Sequence, residues 1–375
     1  MRVIIARSRP IWSMDVYADG LVSGLKAIRP EWEIVEITPS RRDGKSHSWA
    51  SGLSAYYERY WHYPRTVSKQ QADIFHVIDH SYGHLAYFLK GTGKAVIVTC
   101  HDLVHFIYPE NLYDQARLPL VSMAAWKFAV LGMSLADQIV TVSSNTAKDL
   151  VQILNTELKR ITVVPNAVDS MFHPLPKENR AAFRQQHCIS PETLCLLNVG
   201  SDHQRKNIFT ILRVLENLSR RGLVVHLWKA GSDFTDDEKT FLRNHHLENS
   251  VTYLGQPDNH TLIQIYNAAD VLLAPSLYEG FGMTILEAMA CGTPVVTSNV
   301  SSLPEVAGDA AILVDPMDVQ AIAETVCRLH NDSIYSNCLI DLGLKRAKLF
   351  TWEKTAEQIA KVYEKAIWKK NHPQN

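Results

Sequence analysis

Short apolar runs alternate with amphipathic stretches along the whole chain, which predicts strands separated by helices. In the first half of the chain the apolar runs are residues 3–6, 34–38, 74–78, 95–99, 138–142 and 161–164. In the second half they are residues 194–199, 224–228, 251–254, 271–274, 294–297 and 311–314. Strands that alternate with helices form parallel sheets with crossover connections, so the pattern predicts an α/β protein.

A stretch rich in charged residues and prolines, residues 171–192, separates the two groups of apolar runs. Composition of this kind is typical of the break between two domains. We therefore predict an N-terminal domain over residues 1–175 and a C-terminal domain over residues 176–350. The remaining segment, residues 351–375, should form a last helix that begins at Thr351 as its N-cap.

Composition narrows the classes of protein that the chain can belong to. A length of 375 residues suits two domains, and a net charge of −1 gives no overall preference for nucleic acid. The six cysteines form no Cys-x-x-Cys pair, which indicates reduced core thiols and not a disulfide framework or a zinc site. No apolar run has the length of a membrane span or of a signal peptide. We expect a cytoplasmic protein, with peripheral contact at the inner membrane face left open.

Residues 279–294, EGFGMTILEAMACGTP, place two carboxylates around a turn between a strand and a helix. The segment follows the apolar run 271–274, so the turn lies at the carboxyl end of a strand, where open α/β sheets bind ligands. Gly280 and Gly282 lack a Cβ and allow the backbone to approach a ligand closely. The pattern therefore favours a binding turn, although a tight connection with two solvated glutamates is the alternative.

The helix that follows this turn should run from Met283 to about Cys291 and end at Gly292. Its first N–H groups have no partner within the helix and favour phosphate, and they belong to Gly282, Met283 and Thr284. Glu287 lies one turn inside the helix and can accept hydrogen bonds from two neighbouring hydroxyls, as a ribose offers. Glu279 precedes the helix and should face the mouth of the pocket.

Two adjacent cations, Arg205 and Lys206, follow the apolar run 194–199 and precede a helix that should begin near Asn207. A guanidinium offers a planar fork to phosphate oxygens and an ammonium offers a compact charge. Together they can neutralise a nucleoside diphosphate without a metal. The alternative is a pair of solvated basic residues in a loop.

A His–Asp pair, His101 and Asp102, ends the strand predicted over residues 95–99. An imidazole held at a strand end can donate to a sugar hydroxyl or to a glycosidic oxygen. Because the chain contains 16 histidines, a structural histidine is the alternative. The neighbouring polar residues could line an acceptor site or form a surface cluster, with metal binding less favoured, and they are His76, Asp79, His80, His84 and His105.

The segment 279–294 resembles the E-x7-E signature of the retaining glycosyltransferases of the GT-B fold, often called family 4 or glycosyl transferases group 1. The resemblance implies two Rossmann-like domains whose parallel sheets face each other across a cleft. It places the acceptor against the N-terminal domain and the nucleotide sugar against the C-terminal domain. The last helix should return to the N-terminal domain.

The same resemblance implies roles for individual residues of this chain. Glu279 should contact the donor sugar and Glu287 the nucleotide ribose. Backbone amides should bind sugar and phosphate at Phe281, Gly282, Met283 and Thr284.

Two further strings, VGSDHQRKN and TCHDL, extend the resemblance. In the first string the basic residues of the family grip the pyrophosphate, which implies that role for Arg205 and Lys206, beside Gly200 and Ser201. Many relatives have arginine where this chain has Ser201, and we take Arg205 to replace that charge. In the second string His101 should face the donor sugar. The resemblance also implies that the base of the donor is bound near Gln256.

The loop after the first strand departs from the family pattern. Relatives often carry paired glycines there, whereas this chain has RSRPIWSMD. We expect this loop to help form an acceptor pocket. Trp12 and Tyr17 could stack on sugar faces, with aromatic core packing as the alternative.

The resemblance as a whole implies an enzyme that moves a sugar from a nucleoside diphosphate sugar to an acceptor hydroxyl with retention of configuration. The acceptor would be a saccharide, a glycolipid or a small molecule, in the synthesis of a glycan, polysaccharide or glycolipid. Neither a cofactor nor a metal is expected. Two alternatives remain: a GT-B sugar phosphorylase or nucleotide-sugar epimerase, and a catalytically idle subunit that binds a nucleotide sugar. The base and sugar of the donor are left open.

Overall fold

A computed structural model describes residues 1–9, 12–40, 54–109 and 119–372 of the chain. The chain forms two compact units, the first made of Met1–Ala167 and Trp352–Asn375 and the second of Val168–Thr351. Each unit contains a six-stranded sheet in which all pairings are parallel. The predicted α/β class with two parallel sheets is confirmed.

The sheet of the first unit has the strand order β2-β1-β3-β4-β5-β6. Its strands are β1 Arg2–Ala6, β2 Glu33–Ile37, β3 Ile74–Val77, β4 Ala95–Cys100, β5 Gln138–Thr141 and β6 Ile161–Val163. The helices within Met1–Ala167 are α1 Trp12–Ile28, α2 Tyr63–Ser68, α3 Leu85–Leu89, α4 Val104–Ile107, α5 Pro119–Leu131 and α6 Ser144–Leu154. The central strands β3, β4 and β5 are buried along their whole length, which is why they appear in the sequence as continuous apolar runs.

The sheet of the second unit has the order β12-β11-β10-β7-β8-β9. Its strands are β7 Leu194–Gly200, β8 Val225–Gly231, β9 Val251–Tyr253, β10 Val271–Ala274, β11 Val295–Ser298 and β12 Ile312–Val314. Its helices are α7 Lys177–Gln186, α8 Ile208–Arg220, α9 Asp236–Asn244, α10 Asn259–Ala268, α11 Met283–Ala290, α12 Leu303–Ala307, α13 Val319–Asn331 and α14 Ser333–Ala347. The strand order reverses between β10 and β7, and ligands bind at such a switch point in open α/β sheets.

Each predicted apolar run overlaps a strand of the structure. The largest difference is at β8, where the predicted strand ends at Trp228 but the strand continues to Gly231. The extension includes Lys229, which is fully buried although lysine is almost never buried without a partner.

The last helix, α15 Trp352–Asn371, packs against α1 within the first unit. Two glycines of α1 make this contact possible. A Cβ at Gly20 would lie 2.1 Å from the Trp352 ring, and a Cβ at Gly24 would lie 2.6 Å from the Trp352 carbonyl oxygen. The lack of a side chain at these two glycines therefore allows α1 and α15 to pack closely.

The boundary between the units lies before the proline-rich stretch. Residues from Val168 onward contact the second unit, since the backbone N–H of Val168 donates to Phe350 and that of Leu175 donates to the side chain of Asn267 at 2.7 Å. The sequence placed this boundary after residue 175. Residues 168–175 form no helix or strand, and composition alone does not predict their hydrogen bonds to the second unit.

Two further observations concern the exposure of the cysteines and the search for membrane-spanning helices. Cys188 and Cys338 are exposed, so the expectation of core thiols was wrong for these two, while Cys100, Cys195 and Cys291 are buried. Over the described ranges, the structure has no helix with the length and apolar character needed to cross a membrane.

Candidate active site

Three of the predicted catalytic residues meet at the switch point of the second sheet. Glu279 follows β10, and Arg205 and Lys206 follow β7. The Glu279 Oε2 atom accepts from Arg205 Nη1 at 2.9 Å, and its Oε1 atom accepts from Lys206 Nζ at 2.6 Å. Their side chains are between 13% and 17% exposed, so the two cations are not solvated loop residues. We call these three residues the ion cluster.

The cations hold the Glu279 carboxyl in its ionised form. Burial alone would raise the pKa of Glu279, but Lys206 and Arg205 outweigh burial and lower it to about 2. The hydroxyl of Ser276 also donates to Oε1 at 2.8 Å. At neutral pH this carboxylate therefore cannot act as an acid, and it is available as a hydrogen-bond acceptor.

Asn207 fixes the loop that carries the two cations. Its backbone is left-handed, with φ of +57°, a conformation that asparagine tolerates better than most residues. Its side-chain amide donates to the carbonyl oxygens of Pro275 at 3.0 Å and Pro316 at 2.7 Å. These bonds join the loop after β7 to the loops after β10 and β12. Sequence reasoning used Asn207 only as the start of a helix and missed this role.

The turn after Glu279 requires glycine at position 282. Gly282 has φ of +112°, and a Cβ there would lie 2.8 Å from the Leu303 side chain. As the N-cap of α11, Gly282 leaves the first N–H groups of the helix, those of Met283 and Thr284, without helical partners. Phe281 is buried with its ring 5.9 Å from that of Phe350, so only its backbone faces the turn.

Two serines that the sequence analysis did not single out support this turn. Ser301 and Ser302 both donate to the carbonyl oxygen of Glu279, at 2.7 Å and 2.8 Å. Ser302 also donates to the carbonyl oxygen of Phe281 at 2.8 Å. The adjacent hydroxyls thus hold the backbone on both sides of Gly280.

Glu287 pairs with a tyrosine that the sequence gave no reason to select. The hydroxyl of Tyr266, on α10, donates to Glu287 Oε2 at 2.6 Å. Burial raises the pKa of Glu287, while Tyr266 and Lys206 oppose the rise. Glu287 therefore lies within the electrostatic influence of the ion cluster, one helical turn from the phosphate-favouring start of α11.

Gly200 and Ser201 form the turn at the end of β7. A Cβ at Gly200 would lie 3.3 Å from Lys206 Cε, so the lysine side chain lies directly against this glycine. Gln256 is exposed and follows β9, which is separated from β7 by β8. The structure therefore brings Gly200 and Ser201 to the ion cluster and leaves Gln256 two strands away.

His101 lies in the first unit, directly after β4, and is buried. Its Nε2 atom lies 2.8 Å from the carbonyl oxygen of Ile78, which can only accept, so Nε2 carries the proton. Burial lowers the pKa of His101, although Asp79 opposes this. The neutral ring then offers Nδ1 as an acceptor, and donation by His101 to a sugar stays a prediction that requires the protonated ring. The Asp102 Oδ1 atom instead accepts from the N–H of Val104, the first residue of α4, at 3.0 Å.

The neighbouring histidines form a buried network and not a surface cluster. The Tyr363 hydroxyl lies 2.6 Å from His76 Nδ1, and Thr99 Oγ1 lies 2.7 Å from His76 Nε2. Burial lowers the pKa of His76 to about 3. The surface-cluster alternative is wrong for the buried members His76, Asp79, His80 and His84.

The two aromatic candidates for sugar stacking have different outcomes. The Tyr17 ring is buried, its hydroxyl lies 3.1 Å from Thr99 Oγ1, and its ring contacts His101 edge-on. Tyr17 is therefore part of the core, as the alternative stated. The Trp12 side chain, and residues 10 and 11 of the same loop, lie outside the described residues.

Two Rossmann-like units with parallel sheets, the second with an ion cluster at its switch point, define the GT-B class of glycosyltransferase. Residues 24–171 match the family model described as Glycosyltransferase Family 4, and residues 179–346 match the one described as Glycosyl transferases group 1. O-antigen chain mannosyltransferase B of Escherichia coli is 30% identical over 292 residues, which cover 76% of this chain and 74% of that protein. The chain belongs to the family 4 type of GT-B glycosyltransferases.

Two further relatives show the range of the similarity. The serotype-specific mannosyltransferase WbdA of Escherichia coli is 25% identical over 296 residues, which cover 76% of this chain but only 36% of WbdA. The crystal structure of Anabaena Alr3699/HepE in complex with UDP and glucose superposes with a TM-score of 0.74 at 16% identity, covering 97% of this chain and 99% of that one. The second comparison shows that the fold is shared.

Proposed function

We propose that this glycosyltransferase moves a sugar from a nucleoside diphosphate sugar to an acceptor hydroxyl with retention of anomeric configuration. The observation that carries the proposal is the ion cluster beside the start of α11. It joins two cations suited to a diphosphate with a carboxylate suited to sugar hydroxyls. The complex of HepE with UDP and glucose supports a donor of this class.

The role proposed for Glu279 favours attack from the front face of the sugar. A double displacement needs a carboxylate as nucleophile on the far face of the sugar, whereas Glu279 is assigned here to the sugar hydroxyls. In the proposed step the acceptor oxygen bonds to the anomeric carbon as the bond to the phosphate oxygen breaks. The acceptor proton passes to that phosphate oxygen. Arg205 and Lys206 stabilise the departing charge.

The positive charges also make a metal unnecessary in this proposal. Arg205, Lys206 and the N–H groups at the start of α11 together supply the counter-charge that a divalent ion would otherwise give. Turnover should therefore persist in the presence of EDTA. A loss of turnover that added Mg²⁺ or Mn²⁺ restores would contradict this part of the proposal.

For the donor we propose mannose, and for the acceptor a saccharide carried by a lipid. Two relatives in Escherichia coli are named mannosyltransferases, one of them of the O-antigen chain. The test is a thermal-shift screen with GDP-mannose, UDP-glucose, UDP-galactose and ADP-glucose, since a ligand that binds the folded state raises its apparent stability. A screen in which none of these raises the melting temperature contradicts a nucleotide sugar donor of these types.

Product analysis separates the proposed transfer from its alternatives. The donor that binds is incubated with and without inorganic phosphate and with a mannose-terminated oligosaccharide. A sugar phosphate formed only with phosphate indicates a phosphorylase, and an isomerised donor indicates an epimerase. Binding without any turnover or hydrolysis indicates an idle subunit. Retention is read from the anomeric signal of the product by NMR.

An aromatic patch on the first unit supports peripheral membrane contact. It consists of Tyr56, Tyr60, Tyr87 and Phe128, and the Tyr87 and Phe128 rings stack at 5.1 Å. The Arg59 guanidinium lies 5.6 Å from the Tyr60 ring of this patch. Surface rings beside a cation are typical of proteins that lie on anionic lipid. We expect the double substitution Tyr87→Ser, Phe128→Ser to reduce co-sedimentation with phosphatidylglycerol vesicles severalfold. Equal sedimentation of both proteins would contradict the membrane role.

The proposed ribose contact of Glu287 gives a separate prediction. We expect Glu287→Gln to weaken binding of a nucleoside diphosphate by about tenfold, because hydrogen bonds from both ribose hydroxyls to a charged acceptor are lost. Binding of the corresponding 2′,3′-dideoxynucleoside diphosphate should not change, since it lacks those hydroxyls. Calorimetric titration measures both. Equal weakening for the two nucleotides would show that Glu287 does not contact the ribose.

A further inference from the structure

A lysine lies completely buried beneath the turn that follows β7. Lys229, on β8, has 0% exposed surface. Its Nζ atom donates to the carbonyl oxygen of Gly200 at 2.7 Å and to that of Ala230 at 3.3 Å. The backbone N–H of Ser232 donates to the same Gly200 oxygen at 3.0 Å. Two donors on the β8 side therefore hold the Gly200 carbonyl.

Holding this carbonyl also sets the direction of an N–H group. The Gly200 carbonyl and the Ser201 N–H belong to one peptide unit, and in a trans peptide they point in opposite directions. With the oxygen turned toward Lys229, the Ser201 N–H is turned away from it. Gly200 also lies against the Lys206 side chain. In the proposed function, the Ser201 N–H is therefore one of the groups that bind the donor diphosphate, together with Lys206.

Close packing of the two strand ends makes this arrangement rigid. A Cβ at Gly231 would lie 2.3 Å from the Gly200 oxygen, so the ends of β7 and β8 can pack this closely only because residue 231 is glycine. The N–H of Gly231 donates in turn to the carbonyl oxygen of Gly255 at 2.7 Å. The Gly200 peptide therefore has little room to rotate once Lys229 and Ser232 hold its oxygen.

Charged groups of both signs surround Lys229. Burial is the largest influence, and together with repulsion by Lys206 it lowers the pKa of Lys229 to about 8. The carboxylates that oppose this decrease are Glu238, Asp202 and Asp233. An anion bound beside Lys206 would offset the repulsion between the two lysines. It would therefore favour the charged form of Lys229.

We propose that Lys229 is a positioning residue for the donor diphosphate, which aims the Ser201 N–H at a phosphate oxygen and strengthens phosphate binding through its buried ammonium charge. The inference rests on the proposed function, because it assumes that a diphosphate binds beside Lys206. Nothing in it requires Lys229 to touch the ligand.

Proton uptake by the wild-type protein tests the inference without any substitution. Binding that favours the charged lysine takes up protons at a pH above the pKa of the free protein, so affinity falls as the pH rises through about 8. Titration calorimetry with UDP and with GDP at pH 8.5, in buffers of different ionisation enthalpy, counts the protons. We expect a substantial fraction of one proton per bound nucleotide. Binding with no uptake would overturn the inference.

Substitution then assigns the proton to this lysine. Lys229→Met should abolish the uptake and weaken binding at pH 7 by about tenfold, which corresponds to a change of one pKa unit in the lysine on binding. Lys239→Met is the matched control, because Lys239 is a partly exposed lysine paired with Asp233 at 2.7 Å. The control should keep both the affinity and the uptake.

The outcomes separate this inference from the function on which it rests. If neither UDP nor GDP binds the wild-type protein, the proposed function fails for these donors and the inference fails with it. If a nucleotide binds and Lys229→Met neither weakens binding nor removes proton uptake, only the inference is overturned. If Lys229→Met does not fold, the proton count of the wild-type protein decides.

Discussion

Replacing Lys206 with alanine is expected to lower turnover by about 10²- to 10³-fold, the range seen when a donor that stabilises developing negative charge is removed. The Lys206 ammonium lies 2.6 Å from Glu279 and is only 14% exposed, so water replaces it poorly. The charge that it neutralises grows as the bond between sugar and phosphate breaks. The decrease should therefore appear mainly in kcat, measured with the donor found in the thermal-shift screen.

The fold should survive this substitution. Glu279 keeps Arg205 as a counter-ion at 2.9 Å and keeps the hydroxyl of Ser276 at 2.8 Å. Circular dichroism and the melting temperature should therefore change little. Lys239→Ala removes the same charge from an exposed position and should leave turnover intact. Near-normal turnover of Lys206→Ala would show that the cations do not take part in the mechanism as proposed.

The sequence was sufficient for the strands because of how parallel sheets are buried. A strand covered on both faces is a continuous apolar run, and β4 and β10 appear as AVIVTC and VLLA. The positions of Arg205 and Glu279 followed from the same runs, since each residue lies in the loop that follows a strand. Which two strands are neighbours could not be obtained from local pattern. The pairing of β10 with β7 joins residues that are far apart in the chain.

The residues missed by sequence reasoning are those whose partners come from elsewhere in the fold. Tyr266 looks like an ordinary core aromatic until α10 places its hydroxyl on Glu287. Lys229 did leave a signal, because a lysine directly after the apolar run VVHLW contradicts the pattern of a buried strand. The strand predicted from this run nevertheless ends at Trp228, one residue before Lys229. The protonated nitrogen of His101 depends on the carbonyl of Ile78, which only the fold supplies.

The ion cluster implies an exchange of partners when a donor binds. In the free protein Glu279 holds both cations, whereas the proposed mechanism needs the cations on the diphosphate and the carboxylate on the sugar. An incoming diphosphate thus takes over the role that Glu279 plays in the free protein. The carboxylate that it displaces becomes free to accept from sugar hydroxyls, so phosphate binding and sugar binding depend on each other.

This exchange predicts opposite effects of Glu279→Gln on the free protein and on its complexes. The free protein should lose stability on the order of 3 kcal/mol, since two poorly solvated cations lose their counter-charge. Nucleoside diphosphate binding should not weaken, and we expect it to tighten, because the competing carboxylate is gone. Turnover should still fall by about 10²-fold or more, since the sugar loses its acceptor.

The pH dependence of stability gives this prediction an internal check. The pKa of Glu279 is lowered from 4.5 to about 2 in the folded protein, so its contribution is complete above pH 4.5 and disappears as the pH falls toward 2. The difference in unfolding free energy between wild type and Glu279→Gln should shrink over that interval. Chemical denaturation at several pH values measures it, and calorimetry with UDP and GDP measures binding. If Glu279→Gln weakened nucleotide binding, Glu279 would support the diphosphate directly and the exchange of partners would be ruled out.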